Sequence, residues 1–172
     1  NIKNINIPCK GLIKKELFNS TINYISKNFN EFNVTYHYSL YHQYSKNRKN
    51  SYEDFLDFVK NSQTNRNYEI LLVSGSNKKK NFDSIDVLDY LKKEKNLRVK
   101  FGIAYNPYLK KYYNISSERK RIEKKIATRL INSIWLQYGT DIKVLQNEVT
   151  FLKDLAKNEK LNLFGSLFIP SK

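Results

Sequence analysis

The chain has no methionine, one cysteine, two histidines, three prolines and five glycines in 172 residues. With a single thiol, Cys9, there is no internal disulfide framework, which fits a reducing compartment. No electropositive neighbourhood in the sequence marks Cys9 as a nucleophile, so it reads as an inert thiol. Two histidines and one cysteine make no credible metal site. Scarce glycine and proline exclude linker-rich, collagen-like and low-complexity architectures. No apolar run approaches the ~20 residues of a membrane span. The start, Asn1-Ile2-Lys3-Asn4, lacks the apolar core of a signal peptide. A cytoplasmic protein without a membrane partner is therefore expected. The missing initiator methionine reads as a fragment or a trimmed chain.

What is present supports a folded domain. Hydrophobic residues make up 40% and aromatics 14% of the chain, too much for disorder. A domain near this length buries roughly 70% of its unfolded surface, so residues 1–172 are read as one partial domain. Thirty-one Lys and Arg against sixteen Asp and Glu give a formal net charge of +15. Lys, Asn, Ile and Tyr are over-used together, which points to a codon bias, and the lysines are spread along the chain. The longest basic runs, Lys78-Lys79-Lys80 and Arg119-Lys120-Arg121, are flanked by acids or turn residues and read as solvated face. No RNP-like aromatic pattern, zinc-finger spacing or basic zipper is present, so no nucleic acid is expected as a partner. The rival reading is an anion- or nucleic-acid-binding surface, which a steep salt dependence of affinity would reveal.

Along the chain, short β-rich runs alternate with helix-periodic ones. Asn4 to Ile7 is a short strand. From Leu12, the apolar residues Ile13, Leu17, Ile22, Ile25 and Phe29 recur at helical spacing. Val34 to Tyr38 is β-branched and aromatic, a strand. Ser51 with Asp54 resembles a capping box before Phe55, Leu56, Phe58 and Val59. Ile70 to Val73 is unalternated, as in a parallel strand covered on both faces. Asp83 or Ser84 caps a helix that buries Ile85, Leu88 and Leu91. Val99 to Ala104 is a strand; Ser117 caps a charged helix with Ile122, Ile126, Leu130 and Ile131 on one side. Ser133 to Leu136 is a strand, and Gly139-Thr140-Asp141 turns into a helix burying Leu145, Val149, Leu152 and Ala156. Leu163 to Ile169 closes the chain as a strand.

Each β-plus-α unit takes about 30 residues, as βαβ repeats with right-handed crossovers do. The predicted fold class is α/β: a (β/α)8 TIM-type barrel, incomplete, with about six strands and five helices. A Rossmann sheet competes, but the G-x-G-x-x-G fingerprint is absent. An unclosed sheet leaves edges prone to association, so a homo-oligomer is possible and the isolated chain is expected to be poorly soluble. In a barrel, chemistry sits at the C-terminal strand ends. Those are His37, Gly75-Ser76, Tyr105-Asn106-Pro107, Gln137 with Asp141, and the stretch from Gly165 to Pro170. Glu118 and Lys125 lie two turns apart on one helix face.

Several blocks resemble the methylenetetrahydrofolate reductase family. Phe101 to Pro107 is similar to its Gly-Val-Ala…Tyr-Pro strand end. Glu118 and Lys125 match an acid seven residues before a lysine. Gln137 and Asp141 match a strand ending in Thr-Gln with an Asp four residues later. His37 falls at the histidine of His-Leu-Thr, Leu71 to Ser76 resembles Leu-Arg-Gly-Asp, and Leu163 to Pro170 resembles Ile-Pro-Gly-Ile-Met-Pro. The resemblance covers most of the chain from Val34; any block alone is weak, and the order and spacing carry it.

The resemblance implies an FAD-containing barrel that reduces methylenetetrahydrofolate to methyltetrahydrofolate, with NAD(P)H reducing the flavin. It assigns His37, Gly75, Ser76, Glu118 and Lys125 to FAD and Gln137 to the pterin; Tyr105, at its strand end, is a further candidate for the cofactor. A lysine and backbone amides suit a pyrophosphate, and a carboxylate suits a ribose or adenine edge. A glutamine amide carries both a donor and an acceptor, as a pterin edge does. Three departures stand out. Ser76 replaces the family's Asp beside the flavin, Arg129 replaces a Gly that usually follows the helix, and the first-strand acid that serves proton transfer is not in this chain. The bland alternatives are a core histidine at His37, a loop contact for Gln137, solvated Glu118 and Lys125, a tight turn at Gly75, and packing roles for Tyr105 and Trp135. The functional alternative is a catalytically silent flavin- or folate-binding relative.

Overall fold

The computed structural model describes residues 4–9, 14–29, 31–40, 47–62, 68–74, 83–94, 96–108 and 115–165. Among them, six strands and five helices alternate: β1 (Asn4–Ile7), α1 (Lys15–Asn28), β2 (Asn33–Ser39), α2 (Arg48–Ser62), β3 (Tyr68–Val73), α3 (Ser84–Leu91), β4 (Lys100–Tyr105), α4 (Ile115–Ile126), β5 (Ile131–Leu136), α5 (Ile142–Glu159) and β6 (Asn162–Phe164). The strands follow one another in chain order in a six-stranded sheet. The pairs β1–β2, β2–β3 and β5–β6 are parallel. A helix between consecutive strands is the crossover that parallel pairing requires. This is the α/β class that the alternating periods predict. The chain divides into two compact units, Asn1–Phe101 and Gly102–Lys172.

In the first unit, period-2 geometry sorts the side chains of the strands. Val34, Tyr36 and Tyr38 of β2 and Tyr68, Ile70 and Leu72 of β3 are buried. Tyr38 packs on Phe55 and Phe58 of α2 at ring distances of 4.7 and 4.9 Å, and Tyr36 meets Tyr68 edge-on at 5.0 Å. The alternate positions of β1 and β2 are polar, whereas in β3 Leu71 is buried on that side as well. Asn33 Nδ2 donates to Asn4 Oδ1 at 3.0 Å, and His37 Nε2 lies 2.8 Å from Asn6 Oδ1.

Several local expectations shift by a residue or a turn. Helix α2 begins before Ser51: Asn47 Oδ1 accepts the Asn50 N–H at 2.8 Å, the bond an N-cap makes. Ser51 is inside the first turn, buried, with its hydroxyl donating to the Asn47 carbonyl at 2.7 Å. In α1, Phe18 and Ile22 are buried while Leu17 is 60% exposed, because the buried stripe lies one position around the helix. Of the two caps expected for α3, Asp83 rather than Ser84 takes the role, in a capping box with Asp86, but Val87 rather than Ile85 joins Leu88 and Leu91 in the core.

In the second unit, Ile103, Tyr105, Ile134 and Leu136 of the strands are buried, as are Ile122 and Ile126 of α4 and Leu152 and Ala156 of α5. A Cβ on Gly102 would sit 2.7 Å from Ser133 Oγ and 2.9 Å from Trp135 Nε1. The glycine thus makes room for the indole, which donates to Ser133 Oγ at 2.8 Å and stacks on Phe164 at 4.4 Å. Helix α4 already runs at Ile115, so Ser117 lies within it and is not its cap. Asp141 caps α5 by accepting the Val144 N–H at 3.1 Å. Leu145 and Val149 are only half-buried; the buried stripe of α5 is Glu148, Leu152 and Ala156. Strand β6 ends at Phe164, and residues 166–170 lie outside the described residues.

Candidate functional site

The C-terminal ends of parallel strands gather functional groups because the loops leaving them carry unpaired backbone and variable side chains. In the second unit those ends are Tyr105 on β4 and Gln137 just after β5. The Gln137 N–H donates to the Tyr105 carbonyl at 2.8 Å, and the Gln137 side chain is exposed. Beyond β4, Asn106 Oδ1 accepts the Tyr108 N–H at 2.9 Å, an Asx turn around Pro107. The Tyr108 ring lies against Gly139, where a Cβ would collide with it.

Beneath this end lies a buried polar cluster. Tyr105 is fully buried, and its hydroxyl donates to Glu148 Oε2 at 2.5 Å. Arg119 grips the same carboxylate with both arms, Nε to Oε2 at 3.1 Å and Nη2 to Oε1 at 2.7 Å. Its guanidinium also lies 4.5 Å from the Phe151 ring centre. Burial alone would raise the Glu148 carboxyl, but the hydrogen bonds from Arg119 and Tyr105 outweigh it and hold the group below its ordinary value. The same bond to Glu148 raises Arg119, and burial followed by the Glu148 contact raises the Tyr105 phenol. At neutral pH the cluster is a fixed carboxylate with three donors, suited to rigidity rather than proton delivery.

Glu118 and Lys125 are not solvated. They are 9% and 5% exposed and share the buried face of α4 with Ile122 and Ile126. Arg121 Nε is 3.8 Å from Glu118 Oε2. Helix α4 ends in a tight turn in which Thr128 Oγ1 donates to the Lys125 carbonyl at 2.6 Å. Arg129 then takes a left-handed φ of 61°. That is a conformation glycine adopts without cost, and it falls at the position where the family resemblance expects glycine.

In the first unit His37 sits within β2 and is half-buried; burial lowers its pKa. Its Nε2 faces Asn6 on the adjoining strand. The ends of β2 and β3 are joined by a bond from the Leu40 N–H to the Val73 carbonyl at 2.9 Å. Gly75 and Ser76, which follow β3, lie outside the described residues, as do Lys78 to Lys80 and His42. Among the described residues no cluster of His, Cys, Asp and Glu could hold a metal ion, and no helix is long and apolar enough to cross a membrane.

Sequence reasoning missed Asn6, Arg119 and Glu148. Arg119 was hidden in a basic run, and Asn6 in a strand too short to show alternation. Glu148 left a signal: it is four residues before Leu152 and eight before Ala156, so a carboxylate stood on the apolar stripe of α5.

No protein-family model and no curated protein matches this chain.

Proposed function

We propose that the protein is a flavin-dependent oxidoreductase of the methylenetetrahydrofolate reductase kind, its sheet part of a (β/α)8 TIM-type barrel in one-carbon metabolism. The observation that carries the reading is the burial of Glu118 and Lys125 together on one face of α4. They are the most deeply buried charged residues of the helix, in which Lys120, Glu123 and Lys124 are exposed and Arg119 and Arg121 half-buried. Their spacing is the one for which the family resemblance assigns them to FAD. The left-handed backbone at Arg129 adds support, since it explains why the family pattern has glycine there.

The residues fit the group in part. Lys125 suits a phosphate, Glu118 a ribose or adenine edge, and the exposed Gln137 amide a pterin edge. Tyr105 fits less well, because its hydroxyl is already committed to Glu148. Bound FAD would supply the hydride carrier between NAD(P)H and 5,10-methylenetetrahydrofolate, and the chain would supply orientation and electrostatics. The test is the visible absorption spectrum of the purified protein. A flavin spectrum that bleaches with NAD(P)H and recovers with methylenetetrahydrofolate is expected, with Lys125→Ala weakening flavin retention about tenfold or more, as loss of a charge-assisted contact does. A colourless protein that FAD does not reconstitute overturns it.

Ser76 favours a second reading. Without the family's carboxylate beside the flavin, the chain would be a silent flavin- or folate-binding relative. A bound flavin that NAD(P)H does not bleach would select it.

A further inference from the structure

A cleft of about 300 Å³ opens between the start of α2 and the end of α3, lined by Arg48, Lys49, Tyr52 and Tyr90. It belongs wholly to the first unit and shares no residue with the candidate site above. Tyr90, in the last turn of α3, keeps 38% of its surface exposed, so part of its ring faces solvent. The Tyr52 and Tyr90 rings are 4.8 Å apart and inclined at 39°, packed against one another beside the cleft. Two cations lie over the Tyr90 ring, the Arg48 guanidinium at 5.8 Å and the Lys93 ammonium at 5.5 Å.

The carboxylates around the cleft hold these cations loosely. Arg48 meets Asp86 through one nitrogen at 3.3 Å, with the side chains 51% and 41% exposed. Lys49 meets Glu53 at 3.9 Å, with both side chains more than half exposed. Glu94 is engaged by the Tyr52 hydroxyl at 3.3 Å; burial and then Glu94 push that phenol up to about 12, so it stays a neutral ring at physiological pH. Solvent-exposed pairs of this kind exchange partners readily.

We infer that this cleft binds a nucleotide, with the base stacked on Tyr90 and Tyr52 and the phosphate held by Arg48 and Lys49. The chemistry follows from the parts. A π-face flanked by cations favours an electron-rich planar ring. A base that displaces a cation from Tyr90 leaves it beside the phosphate, where an arginine fork binds two oxygens at once. The volume is at the lower end of small-ligand sites, the size of one base with its sugar phosphate. The same chemistry is offered by a free nucleotide and by an unpaired residue of a single strand.

Calorimetric titration of the intact protein with AMP tests this. Saturable binding is expected, weakened at least tenfold by Tyr90→Ala and by the Arg48→Ala/Lys49→Ala pair. Tyr90→Phe, which keeps the ring, is expected to stay within twofold. Adenosine, lacking the phosphate, is expected to bind at least tenfold more weakly than AMP. No saturable binding, or binding that Tyr90→Ala leaves unchanged, overturns the inference; the second outcome would put AMP elsewhere, including at a flavin site. An oligoadenylate titration separates the sources. Affinity above that of AMP and lost in Tyr90→Ala makes the ligand a strand; equal or lower affinity makes it the free nucleotide.

Discussion

The two units cover their strands with different chemistry. Up to Phe101 the buried layer is wholly uncharged among the described residues and rich in aromatics, with Tyr36, Tyr38, Phe55, Phe58 and Tyr68 packed ring against ring. From Gly102 on, the buried layer holds Glu118, Lys125 and Glu148, with Tyr105 bonded to the last. The contrast extends to the phenols. The Tyr36 and Tyr68 hydroxyls are buried without a well-formed hydrogen bond among the described residues, each having the other as its polar neighbour. The Tyr105 hydroxyl is held by a carboxylate that is itself held by an arginine. Aromatic packing stabilises through area and shape, and tolerates an idle hydroxyl at some cost. A buried charge tolerates nothing short of full pairing, so it fixes the geometry around it. The second unit therefore has the more sharply defined strand end.

The largest effect should come from the aromatic layer. Phe55 is completely buried, and Phe55→Ala is expected to cost about 3–5 kcal/mol in denaturant unfolding. A loss below ~2 kcal/mol would mean that the layer collapses around the cavity and is less tightly packed than the ring distances indicate.

Next is Arg119→Met, which strands Glu148 with only a phenol for company. A loss of about 3 kcal/mol is expected at neutral pH, at the low end for a buried pair because Arg119 is partly exposed. Arg119→Met/Glu148→Leu should recover most of it, since the unpaired charge is gone. The pH sign follows from the Glu148 carboxyl lying below its ordinary 4.5. Its contribution is complete above that value and is lost as pH falls through the lowered one. The gap between wild type and Arg119→Met should therefore narrow in acid. A gap constant from pH 7 to pH 3 would mean that packing of Arg119 on Phe151, not charge, is what the substitution removes.

The sharpest comparison uses one substitution twice. Tyr105→Phe removes a donor to a buried carboxylate and should cost about 2 kcal/mol. Tyr36→Phe removes a hydroxyl that makes no good bond and should change stability by less than ~0.5 kcal/mol, or raise it. Equal losses in thermal or denaturant melts would erase the distinction between the two units.

The smallest effect is a gain. Arg129 pays for its left-handed φ of 61°, so Arg129→Gly should stabilise by about 0.5–1 kcal/mol, the relief of Cβ strain offset by the greater freedom of the unfolded chain. A loss would mean that the arginine side chain makes contacts worth more than the strain.

Legibility in the sequence tracked how local each feature was. Strands β2 to β5 were readable because a run of four to seven branched or aromatic residues between turns has few other uses. The cap of α3 was readable to within a residue, as Asp83 or Ser84, and the turn into α5 at residues 139–141 was readable because such bonds span three residues or fewer. Ser51 and Ser117 misled because a serine near a helix start is only one of several oxygens that can cap it, and Asn47 stood earlier. Leu17 and Ile85 misled because helical spacing alone leaves the buried stripe uncertain by one position until the packing partner is known.

The amino-acid sequence by itself determined the alternation of strand and helix, the α/β class and the places where helices begin at an aspartate, since each depends on residues within a turn or two of one another. Only the tertiary structure decided that Tyr105, Arg119 and Glu148 meet, across separations of 43 and 29 residues, and that Glu118 and Lys125 are buried rather than wet. Periodicity reports which side of an element is apolar; which charge is taken inside depends on what the opposite element offers as a partner, and no local pattern carries that.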